Sequence, residues 1–356
     1  MEKYDVIGVM SGTSGDGLDL AACTFIKENS SWSFEIKKSK TVPFPLRIGN
    51  LLSSAFQLSA LDLAKLDVDF GSWVGDQIKS FGKELHFVPQ AVCAHGHTVF
   101  HQPKLGFSLQ IGNGWALRER SGIPVINDFR MQDIQLGGQG APLVPIGDQL
   151  LFSDIDFCIN LGGISNISME IGQKRIAFDI SPFNLLLNHF AKKLGADYDK
   201  DGSWAAEGIT DKDLFSKLNA IGFYSQKGAK SLGREDIEQD FLPLLESSIL
   251  SPKDILSTLV EHFSFQIAEV IKKYKSTERP KALLTGGGAY HRYFIDRLDH
   301  CLDSQWNKIP ASKELIEFKE ALIFGFLGVL RLRGEANCLA SVTGAKSDSC
   351  GGTYYP

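Results

Sequence analysis

YDVIGVM, SGTSGDG and LDLAACTFI run consecutively from Tyr4 to Ile26. Two apolar runs of strand length flank a loop holding Gly12, Gly15 and Gly17, the pattern of a hairpin with a polar tip. Residues 155–171 repeat the plan as IDFCIN, LGGISN and ISMEI, which predicts an internal duplication. A third glycine run, Thr285-Gly286-Gly287-Gly288-Ala289, follows the strand-like KALL and precedes YHRYFIDRLDHCL, whose apolar spacing suits a helix. Strand, glycine loop and helix N-terminus in that order suit an anion or a nucleotide. Further helices are expected over 50–84, 184–194, 255–275 and 317–333.

A chain of 356 residues exceeds what one core of about 250 to 300 residues carries, so two domains with a cleft are expected. Hydrophobic residues at 43% and charged residues at 22% exclude disorder and fibrous architectures. The net charge of -5 argues against a nucleic-acid partner, which requires a basic surface to displace counterions. MEKYDVIGVM is too short and lacks the cleavage pattern of a secretory leader, and no later run reaches the ~18 apolar residues of a membrane span. A cytoplasmic location without membrane contact is therefore expected. Six cysteines without CxxC spacing fit reduced thiols.

Glycines let backbone amides approach phosphate oxygens, and Ser and Thr hydroxyls add donors, so three such loops suit a triphosphate. The first is not a Walker loop, because Leu18 and Asp19 stand where Lys and Ser or Thr are required. Nor is it a dinucleotide fingerprint, because Leu20 replaces the third glycine. The candidate nucleotide-binding residues are Gly12, Thr13, Ser14, Gly15, Asp16, Gly17, Leu18 and Asp19 in the first loop, Gly162, Gly163, Ser165 and Asn166 in the second, and Gly286, Gly287 and Gly288 in the third. Asp16 and Asp19 suit Mg2+ held through its waters.

MSGTSGDGLD (10–19), HGHTVFHQP (95–103), LQIGNG (109–114), NDFRMQDIQLGGQGAPLVP (127–145), NLGGISN (160–166) and LLTGGGAYH (283–291) occur in this order over nearly the whole chain. Together they resemble the anhydro-N-acetylmuramic acid kinases. The resemblance implies an α/β fold of the actin-like, ribonuclease H-like type, with two lobes of duplicated mixed sheets closing over ATP. It also implies hydrolytic opening and O6 phosphorylation of an anhydro amino sugar in murein recycling, with ATP and Mg2+ as cofactors. The family's D-T-G-P-G-N motif matches Asp179, Pro182 and Asn184, so the resemblance makes Asp179 the general base. Ile180, Ser181 and Phe183 depart from that motif, and Phe183 is expected to add bulk near the sugar. Substrate contact is implied for His97, Asp128, Arg130, Asp133 and Asn184, with Arg130 suited to fork onto the lactyl carboxylate. Glu320 is a further candidate from its place on its helix, where a dipole-complementing role stands equally beside sugar contact.

Locally, Ser181 reads as an N-cap, Pro182 as the first helical residue and Gly195 as the helix end. Cys93, His95 and His97 alternate as on one strand face, with His101 following, which leaves a metal reading beside structural and sugar-contact ones. DYDKDGSWAAEG (197–208) has the acidic spacing of a calcium loop but Gly208 where the bidentate Glu belongs. Glu320 is expected near the start of its helix, with Gly325 and Gly328 permitting close packing. Lobe I is expected to comprise 1–138 plus 310–356 and lobe II 139–309, with 137–145 as the crossover. An actin- or Hsp70-like ATPase and a kinase for an ordinary hexosamine remain the competing readings, and a homodimer is allowed for.

Overall fold

A computed structural model describes residues 1–12, 17–226, 228 and 230–356. Its strands are β1 (Glu2–Ser11), β2 (Leu18–Glu28), β3 (Ser31–Val42), β4 (Ala91–Ala94), β5 (His97–Gln102), β6 (Phe107–Ile111) and β7 (Val125–Asn127). There follow β8 (Phe157–Leu161), β9 (Ile164–Ile171), β10 (Lys174–Pro182), β11 (Lys281–Thr285), β12 (Asn307–Ile309) and β13 (Thr353–Tyr355).

The chain divides into two compact units, Met1–Phe152 with Phe318–Pro356, and Ser153–Glu317. These limits differ from the expected ones. Residues 139–152 stay with the first unit, where Gln139 N–H donates to Thr343 O and Gly140 N–H to Asp133, and 310–317 stay with the second, where Ile316 O accepts from Gly286 N–H.

The first unit's sheet runs β13-β7-β4-β1-β2-β3 and the second's β10-β9-β8-β11-β12. In both, three antiparallel strands are followed by two parallel to the first, β4 and β7 in one unit, β11 and β12 in the other. The duplication expected from the paired hairpins is therefore present in strand order and direction, and the fold is the duplicated mixed-sheet α/β architecture of the actin-like class. Parallel strands need helical crossovers, and these cover the sheets.

In the first unit, helix Ala60–Gly82 buries Leu66, Phe70, Val74, Ile78 and Phe81, a stripe at helical spacing. It is not continuous from residue 50. A separate helix ends at Ser53, and Ser59 caps the longer one by accepting from Asp62 N–H at 3.2 Å. Helix Lys313–Arg333 lies hard on the sheet: a Cβ at Gly8 would fall 1.8 Å from Ala321 O, and one at Gly328 would fall 2.0 Å from Cys93 Sγ. Gly8 and Gly328 are what let the helix backbone settle there. In the second unit, helix Pro252–Tyr274 buries Leu256, Leu259, Phe263, Ile267 and Ile271 against the sheet, each such side chain contributing about 1.5–3 kcal/mol when fully buried. Among the described residues, no helix is long and apolar enough to cross a membrane.

Candidate active site

The second unit's hairpin ends at Gly162 and Gly163. Asn184 Nδ2 donates to Leu161 O at 3.0 Å, Asn184 N–H to Gly162 O at 3.1 Å, and Phe183 N–H to Gly163 O at 2.9 Å. Three successive carbonyls thus face the start of helix Asn184–Lys193. Because the carbonyl and N–H of one trans peptide point oppositely, the amides of Gly162, Gly163 and Ile164 turn the other way, an arrangement that suits an anion. Asn184, expected at the sugar, instead holds this hairpin tip in place.

Beside the tip lies Gly286–Gly288. Gly286 has φ +79°, and a Cβ there would sit 2.6 Å from Asn160 Oδ1. A Cβ on Gly288 would meet Phe183 Cε1 at 2.4 Å, whereas Gly287 has only Asn184 Nδ2 within 4 Å, at 3.8 Å. Two of these glycines are thus demanded by packing, and Gly287 stays open to a ligand.

Strand pairing places Thr285, Asn160, Asn166 and Asp179 in one row across β11, β8, β9 and β10. Paired residues share a sheet face, so Asp179 ends a polar row that starts at the third glycine loop. Asp179 Oδ2 accepts from Leu232 N–H at 2.8 Å and Ser231 Oγ at 3.2 Å. Its backbone N–H donates to Lys230 O at 2.9 Å. Among the described residues Oδ1 has no hydrogen-bond partner, and the side chain is half-buried. Burial pushes the carboxyl above the usual aspartate range, with the Leu232 and Ser231 bonds opposing the rise. A carboxylate fixed by one oxygen, bare on the other and raised in basicity is equipped to take a proton.

Asn160 lies outside the expected site residues. An amide interrupting the apolar run FCIN was its available signal.

Several expectations in this unit need correction. Ser165 is fully buried, its hydroxyl 2.9 Å from Ser181 Oγ and donating to Ser181 O, so it cannot reach a phosphate. Ser181 and Pro182 belong to β10, and Phe183 precedes the helix without a side-chain cap. Phe183 does not crowd a sugar. It is fully buried, packed on Phe263 and Phe294 at ring distances of 5.3 and 4.8 Å. Gly195, at φ +92°, does end the helix. In the 197–208 segment, read from the sequence as a loop without the bidentate ligand of a calcium site, Asp199 clips the chain by accepting from Trp204 N–H at 3.0 Å and Ala205 N–H at 2.9 Å.

In the first unit, Thr13, Ser14, Gly15 and Asp16 lie outside the described residues, so half the expected Mg2+ pair does too. Gly12 is half-buried. A Cβ at Gly17 would meet Val42 O at 2.7 Å, which makes that glycine a packing requirement. Leu18 is a core residue at 1% exposure, not a nucleotide contact. Asp19, half-buried on β2, accepts from Thr41 Oγ1 at 2.5 Å.

Arg130 anchors the other cluster. Its Nε and one terminal nitrogen donate to His95 Nε2 at 3.1 and 2.8 Å, and the other terminal nitrogen donates to Gly140 O at 2.6 Å. Burial brings Arg130 down to about 10, opposed by Glu320, so it stays charged at neutral pH. Glu320 is solvent-reachable, eight residues into helix Lys313–Arg333 and therefore not at its N-terminus as expected. The protein around it raises its carboxyl, Asp19 adds to the rise, and Arg130 and Lys319 oppose it. Asp128 is exposed in left-handed backbone at φ +56°, which residues with a side chain adopt rarely.

Two expected sugar contacts are committed elsewhere. Asp133 is 1% exposed and accepts from Gly140 N–H, Thr343 Oγ1 and Cys338 Sγ at 2.7, 2.7 and 3.2 Å, clipping the glycine-rich segment to the C-terminal region. His97 is buried with Nδ1 2.9 Å from Ser11 Oγ, at the loop end of the first hairpin. The alternating Cys93, His95 and His97 do not share one strand face. Gly96, at φ +79°, breaks the chain between β4 and β5, and Cys93 packs under Gly328.

A family profile, described as anhydro-N-acetylmuramic acid kinase, matches residues 4–356. An anhydro-N-acetylmuramic acid kinase of Pseudomonas syringae pv. syringae is 34% identical over 98% of both chains. One of Haemophilus influenzae is 34% identical over 100% of this chain and 99% of its own. Solved structures superpose loosely: a ROK hexokinase of Thermus thermophilus has a TM-score of 0.39 at 11% identity, over 92% of this chain and 99% of that one. On the full-length match of profile and relatives, this chain belongs to the anhydro-N-acetylmuramic acid kinase family.

Proposed function

We propose that this protein uses ATP and water to convert 1,6-anhydro-N-acetylmuramic acid to N-acetylmuramic acid 6-phosphate, a step of murein recycling. The observation that carries the reading is Asp179, whose carboxylate is oriented through Oδ2, free at Oδ1 and more basic than an ordinary aspartate. Asp179 takes a proton from the water that attacks the anomeric carbon. The C1–O6 bond breaks, and O6 takes the phosphoryl group. Proton transfer to a positioned side chain is worth about 10² to 10⁴ in rate.

The outward amides of Gly162, Gly163 and Ile164, with Gly287, are the residues suited to phosphate oxygens. Gly12 and Asp19 of the first hairpin are likewise suited to nucleotide phosphate and its Mg2+; the nucleotide supplies the phosphoryl group and Mg2+ would neutralise its charge. Arg130 is assigned to the lactyl carboxylate. Of the five N–H donors on a guanidinium, three are committed within the protein, and the rest suffice for a bidentate carboxylate. Glu320 and Asp128 are assigned to the sugar beside it.

Mass analysis of the product tests the reaction. Ring-opening phosphorylation adds one water and one phosphate to the anhydro sugar. A product carrying phosphate alone, or turnover restricted to N-acetylglucosamine, would replace this reading with that of an ordinary hexosamine kinase.

A further inference from the structure

Arg130 grips a carboxylate best if its guanidinium is already aimed, since a free arginine side chain loses rotamer freedom on being fixed. The His95 ring takes up that task. It is 5% exposed, lies against Phe324 at 4.7 Å between ring centres, and receives two of Arg130's donors on the single atom Nε2. An Nε2 that accepts from a permanent cation carries no proton, so the imidazole is neutral with its hydrogen on Nδ1. Nδ1 is buried beside the Gly96 backbone, which favours a proton there. What sets this ring apart is the pair of Arg130 donors that converge on its other nitrogen.

We infer that His95 is a positioning residue, whose Nε2 and the Gly140 carbonyl together fix the Arg130 guanidinium so that its remaining donors present a fork to the substrate's carboxylate. This rests on the proposed sugar substrate. Asn127 to Asp133 and the glycine-rich segment then act as one unit: Asp133 holds Gly140 through its N–H, and Gly140 holds Arg130 through its oxygen. His95 itself touches no substrate.

The test compares two polar replacements. In H95Q the amide oxygen reaches the level of Nε2 and can still accept from Arg130. In H95N it reaches only the level of Nδ1. Calorimetry measures each variant, R130K and the parent against 1,6-anhydro-N-acetylmuramic acid and against 1,6-anhydro-N-acetylglucosamine, which lacks the lactyl carboxylate. Expected are a loss of about tenfold for H95N on the acidic sugar, as for R130K, and H95Q within about threefold of the parent. H95N and H95Q should bind the neutral sugar within about twofold of the parent.

Equal loss of H95N on both sugars, or parental affinity of H95N for the acid, overturns the positioning role while leaving the proposed substrate standing. Should H95N fail to fold, H95Q decides against R130K: retained preference for the acid supports the role, and a loss matching R130K overturns it. A parent that binds neither sugar brings down the substrate reading, and this role with it.

Discussion

The two units share a strand order and differ in how they hold polar groups. The second unit holds its hairpin tip and polar row with neutral groups: Asn184 and Phe183 pinning three carbonyls, a buried Ser165–Ser181 hydroxyl pair beneath, and an amide row from Asn160 to Asn166 that ends in the carboxylate of Asp179. The first unit uses charge, with Arg130 on His95, Glu320 and Asp19 influencing one another, and a buried ion pair between Lys319 and Asp148. Duplication of a fold thus does not duplicate its electrostatics. Oriented backbone amides can receive a highly charged anion without burying a countercharge, and among the described residues no cation lowers the basicity of Asp179. A carboxylated sugar calls for the opposite, a fixed cation with its own partners already satisfied.

The largest expected effect falls on the lone carboxylate. Asp179→Asn should cut turnover by about 10² to 10⁴ while ATP affinity stays within about twofold, read by steady-state kinetics and nucleotide titration. A variant as active as the parent removes Asp179 from the mechanism. The same substitution has a second signature. Burial raises the Asp179 carboxyl in the fold above its ordinary value near 4. Its ionised form therefore costs stability that is absent below about pH 4 and fully present above the raised value. At pH 7 the asparagine variant should melt no lower than the parent, and the parent's kcat should fall on the acid side at a pH above 4. A clearly lower melting temperature at pH 7 would make Asp179 a structural ion instead.

The next effect tests the charged unit. Lys319 Nζ lies 2.7 Å from Asp148 Oδ1, with side chains 6% and 3% exposed, and above the Phe152 ring at 5.4 Å. Removing one partner of such a pair typically costs about 3–5 kcal/mol, whereas replacing both by apolar groups is often neutral. Lys319→Met should lower the denaturation free energy by about that amount. The double variant Lys319→Met with Asp148→Leu should recover most of it. A single variant as stable as the parent would mean that the charges of this unit contribute little, and the contrast between the units would lose its energetic half.

How far the sequence carried this picture follows the same division. Backbone features were legible: paired glycine hairpins announced two equivalent units, and the third glycine run announced its strand and turn, because glycine and strand periodicity report local conformation directly. Side-chain destinations were not. His97, Asp133 and Ser165 are polar residues inside motifs, and nothing local distinguishes a side chain facing a ligand from one satisfying a buried partner distant in sequence, such as Thr343 for Asp133. Phe183 reads as bulk beside Asp179 until the opposing hole made by Gly288 is known. The break at Gly96 likewise needs the positive φ to be seen. His95 falls within a metal-like alternation in the sequence, and its partnership with Arg130 spans 35 residues.

The smallest effect distinguishes glycines that serve the ligand from those that serve the fold. A Cβ at Gly163 meets only the Leu185 side chain, at 3.1 Å, and Leu185 is 40% exposed and can move aside. At Gly288 it meets the buried Phe183 ring and Leu161 Cβ, at 2.4 and 2.7 Å, and neither can yield cheaply. Gly163→Val should therefore melt within about 2 °C of the parent yet weaken ATP by about tenfold, since its methyls obstruct approach to the amide row. Gly288→Val should lose about 1–3 kcal/mol of stability before any binding is measured. Unchanged ATP affinity in Gly163→Val would detach the second hairpin from the phosphates. The outward amides would then be a consequence of Asn184 packing alone, and the neutral character of this unit would need another cause.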